Sequence, residues 1–222
     1  MKKLLVLVWL LLVISLPVMA EEEENPFVNM DFKGGGSFGL GYMKLNMGGF
    51  KEEIARAGYP ELEDGMLVYG GGSLIGFRDG LRCGGFGYGG EVVVEGANGG
   101  LSQLNFAAGG ADLEYGFVLQ DKLDIGIGMI FGGGTYELTL RKNTLQNINE
   151  PNQIHLTNTF FIVGPKVTLQ YQVVEWCTIQ GIINYIYSIG NDQWKDVNYR
   201  TDAVPPLRVN GTMIGVNLQL MY

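Results

Sequence analysis

Few side chains in this chain of 222 residues could carry chemistry, and they do not form a recognisable group. The chain has one histidine, His155, and two cysteines, Cys83 and Cys177. A structural zinc site needs about four ligands close together, so these residues do not predict one. A serine hydrolase would need a serine beside His155, and the sequence places none there among Ser37, Ser73, Ser102 and Ser188. The sequence therefore predicts no catalytic residue, no metal site and no cofactor.

Glycine-rich stretches imitate two functional motifs. Residues 34–39 read Gly-Gly-Gly-Ser-Phe-Gly, which fits both G-x-G-x-x-G and G-x-S-x-G, in a chain with 35 glycines. The first motif needs a strand before it and a helix after it, and the second needs a strand–turn–helix context. Neither context is suggested here, so we assign neither function.

Four charged residues inside apolar segments are more informative. Glu91, Asp112, Asp124 and Lys166 are predicted to point into the lumen of a small β-barrel, given the strands assigned below. They could form a salt-bridged plug across the lumen, or they could line a narrow path that prefers cations. The plug needs fewer assumptions.

Eight segments with a two-residue period must position these side chains. Alternation of apolar and polar residues places each set on one face of a strand. The predicted fold class is all-β, a closed antiparallel transmembrane β-barrel of eight strands, or of ten if the fourth or fifth segment splits. The segments are 37–45, 66–77, 81–94, 101–119, 123–140, 157–173, 177–189 and 207–222.

The connections between these segments alternate in length. The links at 78–80, 120–122 and 174–176 are short. Three of the other four are longer, and the four are 46–65, 95–100, 141–156 and 190–206. Tight turns at one end and longer loops at the other are typical of outer-membrane barrels.

The last segment alternates to the final residue. Val216, Leu218, Leu220 and Tyr222 share one apolar face, and the residues between them are largely polar. A terminal strand with an aromatic last residue resembles those of small bacterial outer-membrane barrels of the OmpA, OmpX and OmpW type. The resemblance implies that this strand closes the barrel, that the barrel assembly machinery reads it, and that outer-membrane lipid surrounds it. The resemblance assigns no functional role to any particular residue of this chain.

The first residues have the pattern of a cleaved secretory signal peptide, with an uncleaved anchor helix as the alternative. Lys2 and Lys3 precede an apolar run over 4–16, and a small-residue site ends at Ala20. We predict a signal peptide at 1–20, an acidic and glycine-rich leader at 21–36, and an outer-membrane barrel at 37–222. Cleavage leaves 13 Lys and Arg (15 minus Lys2 and Lys3) against 23 Asp and Glu, a net charge of −10. Such a charge disfavours nucleic acid as a partner.

Glycine runs, a proline and the aromatic residues add detail to this prediction. The face on which large side chains fall changes across 109–110 and across 132–134, which predicts β-bulges there. Pro165 has no amide proton for the ladder, which predicts a bulge or a split strand. Two aromatic belts are predicted. The lower belt contains Phe77, Phe117, Tyr171, Trp176 and Tyr222, and the upper one contains Tyr42, Tyr69, Tyr136, Phe161 and Tyr187.

Many glycines are predicted to face the lumen. Eight strands enclose only enough space for side chains or one small ligand, so missing side chains predict a flattened barrel or another occupant. Cys83 shares this face and Cys177 faces outward on a distant strand, so no disulfide is predicted. The inward glycines are Gly70, Gly72, Gly76, Gly85, Gly87, Gly89, Gly126 and Gly128.

One short helix is predicted in the first long loop, over residues 50–59. Phe50 and Ile54 lie on one side of it, Arg56 closes it, and Gly58 with Pro60 stops it. The helix could cap the upper rim, enter the mouth of the barrel as a plug, or present a surface to a partner.

The function predicted from these features is structural or surface-interactive. The long loops at 46–65, 141–156 and 190–206 would form the contact surface, with Trp194 and Tyr199 as candidate anchors. The alternative is a narrow channel, or a conduit for a small apolar ligand through a glycine-lined lumen. An outer-membrane enzyme that depends on His155 is a more distant alternative.

Overall fold

The computed structural model describes residues 32–97, 99–142, 153–190, 194–196 and 210–221. The predicted signal peptide, the leader up to residue 31, Tyr199 and Tyr222 lie outside these residues. The elements are β1 (Phe32–Asn46), α1 (Phe50–Arg56), β2 (Gly65–Phe77), β3 (Gly80–Glu95), β4 (Leu101–Gln120), β5 (Leu123–Arg141), β6 (Gln153–Val174), β7 (Cys177–Gly190), β8 (Lys195–Asp196) and β9 (Asn210–Met221).

Eight of the strands close into a ring. They pair antiparallel in the order β1–β2–β3–β4–β5–β6–β7–β9, and β9 pairs back with β1. The predicted closed eight-stranded barrel is confirmed, and neither the fourth nor the fifth predicted segment splits. β8 lies outside the ring, where its two residues pair with Leu156 and Thr157 of β6.

Turn length separates the two ends of the barrel. The turns at 78–79, 121–122 and 175–176 define what we call the lower end, and the longer connections define the upper end. β4, β5 and β6 contain 20, 19 and 22 residues, whereas β7 and β9 contain 14 and 12. The wall formed by β4–β6 therefore rises further at the upper end, and we call it the tall wall.

Alternation decides which face each side chain joins. On β9, Ile214, Val216 and Leu218 are exposed on the outward face, whereas Met213 and Asn217 are buried. A ring of eight strands is only wide enough for its inward side chains to fill it. The outward face is therefore apolar and exposed, while the inward face mixes apolar and polar residues. No helix among the described residues is long and apolar enough to span a membrane.

Strand β3 faces the opposite way from the prediction. Glu91 and Cys83 are exposed on the outward face, and Gly85, Gly87 and Gly89 lie on that face between them. The predicted lumen position of Glu91 is therefore wrong, as are those of Cys83 and the three glycines. A shift of one residue in an alternating strand moves every side chain to the other face.

The neighbours of β3 explain this orientation. The inward side chains of β3 include Phe86 and Tyr88, which need space inside the ring. The two adjacent strands, β2 and β4, provide that space with inward glycines, among them Gly72 and Gly110, which both pair with Phe86. Aromatic residues of β3 thus fill a part of the lumen that its neighbours leave open.

Four glycines form a continuous row around the outward face. They are paired directly from β2 to β5, and in β2, β4 and β5 an adjacent inward residue is also glycine. We call this set the glycine row, and it consists of Gly71, Gly87, Gly109 and Gly133.

The bulges predicted at two glycine runs are absent. The β4–β5 ladder keeps one register past 109–110 and 132–134 and shifts only between Val118 and Gln120, near the lower end. Phe106 and Tyr136 are buried inside the barrel, while Phe131 is exposed outside. The predicted bulges are wrong because the prediction placed all large side chains on the outward face. Since Tyr136 points inward, its predicted place in the upper aromatic belt is wrong as well.

Pro165 neither splits β6 nor causes a bulge. It pairs with Met129 of β5, where its missing amide proton is tolerated. On the other side, the β6–β7 ladder lacks pairs at Gly164 and Pro165 and resumes in the same register at Lys166. The strand is therefore continuous, with a local gap in its pairing to β7.

Candidate functional site: the filled lumen and its cap

Apolar side chains fill the upper half of the lumen. Every strand of the ring contributes to this apolar cluster, and Leu104, Leu138 and Leu156 within it are completely buried. Buried side chains in protein interiors pack closely and leave little free volume. The strand residues of the apolar cluster include Met43, Leu45, Met66, Val68, Val92, Leu104, Phe106, Ile130, Tyr136, Leu138, Leu140, Leu156, Phe160, Ile162, Ile186 and Met213.

A cap formed by residues 47–64 and Trp194 covers this cluster. Phe50 and Ile54 lie one helical turn apart on α1, and both are buried in the apolar cluster together with Leu62. The Phe50 ring stacks on the Trp194 indole, with centroids 5.9 Å apart and planes 18° apart. The helix thus caps the barrel and inserts its apolar side, while Arg56 in its last turn stays exposed.

Trp194 belongs to the interior and not to the contact surface. Its side chain is 2% exposed. The short β8, which begins at the next residue, pairs with β6 and holds this position at the rim. The prediction of Trp194 as an anchor for a partner is wrong because stacking on Phe50 buries the ring.

An ion pair at the rim joins the two ends of the cap. The Lys51 ammonium lies 3.0 Å from Asp64 Oδ1 and 3.6 Å from Glu61 Oε1. Hydrogen bonding to Asp64 and the charges of both carboxylates raise the pKa of Lys51 above its ordinary value. The first turn of α1 is therefore tied to the segment that leads into β2.

Two further contacts hold the cap against the tall wall. The Ser102 hydroxyl of β4 donates a hydrogen bond to the Pro60 carbonyl over 2.7 Å. The Lys142 ammonium lies 5.0 Å from the centroid of the Tyr59 ring, within the range of a cation–π interaction. The cap is thus attached to the barrel at its polar edge as well as through its apolar side.

Aromatic rings occupy the middle of the barrel. The Tyr136 ring lies 4.6 Å from the Phe160 ring and 5.3 Å from the Phe106 ring, measured between centroids. Phe86 and Tyr88 form a second stacked pair with centroids 5.8 Å apart. These rings separate the apolar upper half from the polar lower half.

Glu114 is the centre of the lower half. Its Oε1 atom accepts hydrogen bonds from Arg82 Nη1 at 3.1 Å and from Gln170 Nε2 at 3.2 Å. Its Oε2 atom accepts one from the Thr168 hydroxyl at 3.1 Å and lies 2.8 Å from Lys166 Nζ. The Glu114 side chain is 0% exposed, so these four groups replace water around the carboxylate.

Two other carboxylates complete what we call the ionic network. Lys166 also binds Asp112, and Arg82 Nη2 lies 3.6 Å from Asp124 Oδ2. Arg78 Nε donates to both oxygens of Asp124, at 2.9 and 3.0 Å. Arg78, Arg82 and Lys166 thus balance Asp112, Glu114 and Asp124, as a buried set of charges requires.

Inward glycines make room for these long side chains. A Cβ atom on Gly116 would overlap the Arg82 guanidinium, and one on Gly126 would overlap the Glu114 carboxylate. One on Gly128 would lie 2.7 Å from Glu114 Cβ. Side chains from neighbouring strands therefore fill the space that these glycines leave.

The structure brings together three of the four charged residues that the sequence singled out. Asp112, Asp124 and Lys166 lie inside the ionic network. Glu91 lies on the outward face above the middle of the barrel, where its carboxylate accepts a hydrogen bond from Gln103 at 3.3 Å.

Three members of the ionic network were missed by sequence reasoning. Glu114 follows Asp112 by two residues, so the period of the strand already placed it on the same face. Arg82 was missed because β3 was assigned the wrong orientation. Arg78 lies in a short turn, where no periodicity indicates direction.

The terminal strand lies where the prediction placed it in the ring. Val216, Leu218 and Leu220 are exposed on the outward face of β9. They pair directly with Leu40, Phe38 and Gly36 of β1. The position of Tyr222 lies outside the described residues.

Small polar cavities remain in the lower half. One cavity of about 20 Å³ is lined in part by Arg78, Asp124 and Gln219, and another of the same size by Asp112, Lys166 and Gln219. Each volume is close to that of a single water. Asp112 Oδ1 and Gln219 Oε1 have no hydrogen-bond partner among the described residues.

The remaining reactive side chains are dispersed. His155 Nδ1 lies 3.0 Å from the Thr139 hydroxyl, on the outward face of the tall wall. Cys83 is exposed and Cys177 is buried, and both are free thiols in this structure. Within the described residues, no group of His, Cys, Asp and Glu could hold a metal ion.

Comparisons with known proteins identify the architecture. No protein-family profile matches the chain, and no curated protein sequence does. The fold is similar to that of Ail, the attachment invasion locus protein of Yersinia pestis, whose structure was solved with the heparin analogue sucrose octasulfate. That match has a TM-score of 0.54 at 9% identity and covers 87% of this chain and 100% of Ail.

A second similar structure is that of neisserial surface protein A. The match has a TM-score of 0.52 at 11% identity and covers 85% of this chain and 96% of that protein. Identities this low show the fold alone. They confirm the predicted resemblance to small bacterial outer-membrane barrels at the level of architecture.

Proposed function

We propose that this protein is an integral barrel of a bacterial outer membrane, with a closed lumen and a structural or surface-interactive role at its upper end. The observation that carries the proposal is the filling of the lumen. The cap, the apolar cluster, the aromatic rings and the ionic network follow one another along the barrel axis. Such a barrel serves better as a scaffold for its upper surface than as a conduit.

The outward face supports the membrane location. Large apolar side chains cover it, with Leu40, Leu67 and Phe161 being 66%, 73% and 72% exposed. Soluble proteins rarely expose apolar patches of this extent. Exposed aromatic residues also lie near both ends, as rings that prefer the headgroup region do. They are Tyr42, Tyr69, Phe161 and Tyr187 above, and Phe117, Tyr171 and Trp176 below.

The upper surface has the polarity expected of a contact surface in water. On the tall wall, the outward residues above the apolar band include Glu91, Gln103, Glu137, Thr139 and His155. Their strands are held from behind by the apolar cluster. A partner would therefore meet a rigid polar sheet beside the cap.

The charge of the cap bears on the class of partner. Lys51 and Arg56 are outnumbered there by acidic residues. Ail was crystallised with a sulfated sugar, which is a polyanion. The outer surface of an acidic cap would repel such a ligand, so we propose that a protein or glycan partner of that surface is neutral or cationic. The acidic residues are Glu52, Glu53, Glu61, Glu63 and Asp64.

Cell fractionation with a heat-shift assay tests the membrane location. We expect the protein in the outer-membrane fraction, and we expect the unheated sample to migrate differently from the boiled one on a denaturing gel. Recovery in the soluble fraction without a heat shift would overturn the proposal.

Single-channel recording tests the closed lumen. We expect purified protein in planar bilayers to give no conductance steps above the protein-free control. Regular steps from the wild-type protein would instead support the narrow-channel alternative. Persistent density of an apolar molecule in the lumen would support the conduit alternative.

Assembly tests the proposed role of the terminal strand. Because Val216, Leu218 and Leu220 already pair β9 with β1, deletion of Tyr222 should leave the ladder available yet reduce the folded fraction in the membrane severalfold. The heat-shifted band measures that fraction. Tyr222→Phe, which keeps an aromatic side chain at this position, should assemble like the wild type. Equal assembly of the deletion variant would remove this role.

A further inference from the structure

A cavity opens on the outside of the barrel at the upper rim. It has a volume of about 430 Å³ and lies where β1, β7 and β9 meet the start of α1. This size falls in the range of small-molecule sites, about 300–1,000 Å³. We call it the rim pocket, and its polar side chains are those of Lys44, Asn46, Lys51, Asp64, Tyr185, Asn210 and Thr212.

The strand register builds the floor of the rim pocket. Lys44 of β1 pairs with Thr212 of β9, and Thr212 pairs with Tyr185 of β7, so the three outward side chains form one row. One step higher, Asn46 pairs with Asn210. The floor thus presents an ammonium group and several uncharged hydrogen-bonding groups on rigid strands.

Two lysines face the rim pocket from opposite sides. Lys51 comes from α1 above it, and its ion pair with Asp64 fixes its position. Lys44 comes from the floor, is exposed, and has no carboxylate partner among the residues that the structure describes. One cation at this site is therefore left for an external anion.

The level of the rim pocket indicates what that anion is. Tyr42 and Tyr185 are exposed on the outward face at or next to the Lys44 row. Tyrosines at this position mark the boundary between lipid tails and headgroups. An anion at this level, beside a lipid-facing wall, is most simply the phosphate of a lipid.

We propose that the rim pocket binds the phosphorylated headgroup of a lipid in the leaflet at the upper end of the barrel, which is the outer leaflet when the short turns are periplasmic. Lys44 would contact the phosphate, and Thr212, Asn210 and Tyr185 would hydrogen-bond the polar group that carries it. The volume exceeds what an isolated phosphate needs, which favours a headgroup over a free ion. This inference rests on the proposed membrane location.

Lipid binding to purified full-length protein in a neutral detergent tests the proposal. The ligands are a short-chain phosphatidic acid, the matching diacylglycerol without phosphate, and inorganic phosphate. The variants are Lys44→Gln and Lys122→Gln, which removes the same charge from an exposed turn at the lower end. Both variants should show the heat shift of the wild type.

We expect phosphatidic acid to bind, and we expect Lys44→Gln to weaken that binding about fivefold, as the loss of one lysine near a lipid phosphate implies. Lys122→Gln should stay within about twofold of the wild type, and diacylglycerol should not compete. Equal binding by Lys44→Gln, or by diacylglycerol, would overturn the proposal. Inorganic phosphate binding as tightly as the lipid would assign the rim pocket to a free anion instead.

Cell fractionation and the heat-shift assay, applied to the same variants, separate this inference from the proposed function. Protein that lacks a heat shift and stays out of the outer-membrane fraction would contradict the membrane location itself. Protein that passes both checks while Lys44→Gln changes nothing would contradict only the rim pocket.

Discussion

The two halves of the lumen are filled by opposite means. Above the aromatic rings, apolar side chains such as Leu104 and Leu138 pack together without a polar partner. Below the rings, Glu114 and the rest of the ionic network satisfy one another's charges. Both halves fill the same barrel, yet we expect their stability to respond differently to the substitution of a buried side chain.

This difference has a physical cause. A buried apolar side chain stabilises the fold in proportion to the area and volume it fills, so the free energy lost on truncation increases gradually with the size of the group removed. A buried charge is tolerated only while its partners remain, so the loss of one member leaves the others unpaired. One substitution in the lower half should therefore destabilise the whole ionic network. Substitutions in the upper half should each lower the stability by a separate, smaller amount.

The largest effect should come from removing the centre of the ionic network. Glu114→Ala leaves Arg82 and Lys166 buried with one carboxylate fewer, and we expect the free energy of unfolding to fall by about 3–5 kcal/mol. Urea unfolding in detergent micelles, followed by tryptophan fluorescence, measures this. Glu114→Gln keeps the shape and one acceptor, and should lose less. A loss below about 1 kcal/mol in the alanine variant would contradict the central role of Glu114.

A somewhat smaller effect should follow from a cavity in the upper half. Leu138→Ala should lower the free energy of unfolding by about 3 kcal/mol, within the range for buried leucines. Glu114 pairs with Gly128, which lies ten residues from Leu138 along β5, so the double variant should lose the sum of the two single losses. A coupling energy above about 1 kcal/mol would show that the two halves are not independent.

A matched pair of glycine substitutions should give a smaller effect. Gly126→Ala places a Cβ in the space of the Glu114 carboxylate and should cost about 1–3 kcal/mol of unfolding free energy. Gly87→Ala faces outward with no atom within 4 Å of the new Cβ, and should change it by less than about 0.5 kcal/mol. Equal costs in the same urea assay would contradict the assigned faces of β3 and β5.

The smallest effect concerns the ion pair within the cap. The pKa of Lys51 is raised above 10.5 by Asp64, so the ion pair stabilises the cap fully below that pH and is lost as pH rises through the raised value. In protein that lacks residues 1–20 and carries Trp176→Phe, Trp194 is the remaining tryptophan, and its emission should shift towards that of exposed tryptophan over this range. Asp64→Asn should abolish that step, and an identical step in this variant would exclude the ion pair as its cause.

Much of the fold could be predicted from local periodicity. Strands such as β7 and β9 alternate one apolar and one polar face, so both the strand and its orientation follow from the sequence. Short and long connections alternate along the chain, and this alternation predicts which strand ends lie at the same end of the barrel. The short helix was visible from Phe50, Ile54 and the stop at Gly58, although α1 ends at Arg56.

The orientation of β3 and the composition of the lumen could not be predicted in this way. Glycine and aromatic residues alternate in β3, so both faces could pack against lipid or against the interior. The choice depends on the long-range requirement that Arg82 reach Glu114 and that Phe86 fill space beside inward glycines. Such requirements join strands that are distant in the sequence, and a two-residue period does not contain them.

The glycine row has a consequence for the shape of the barrel. At Gly71, Gly109 and Gly133 the outward face has no side chain, and an adjacent inward position in each strand is glycine as well. The wall there is little more than one peptide backbone thick. A sheet bends most sharply where no side chains crowd its concave side. The arc from β2 to β5 is therefore expected to take up a disproportionate share of the curvature that closes the ring at the level of the glycine row.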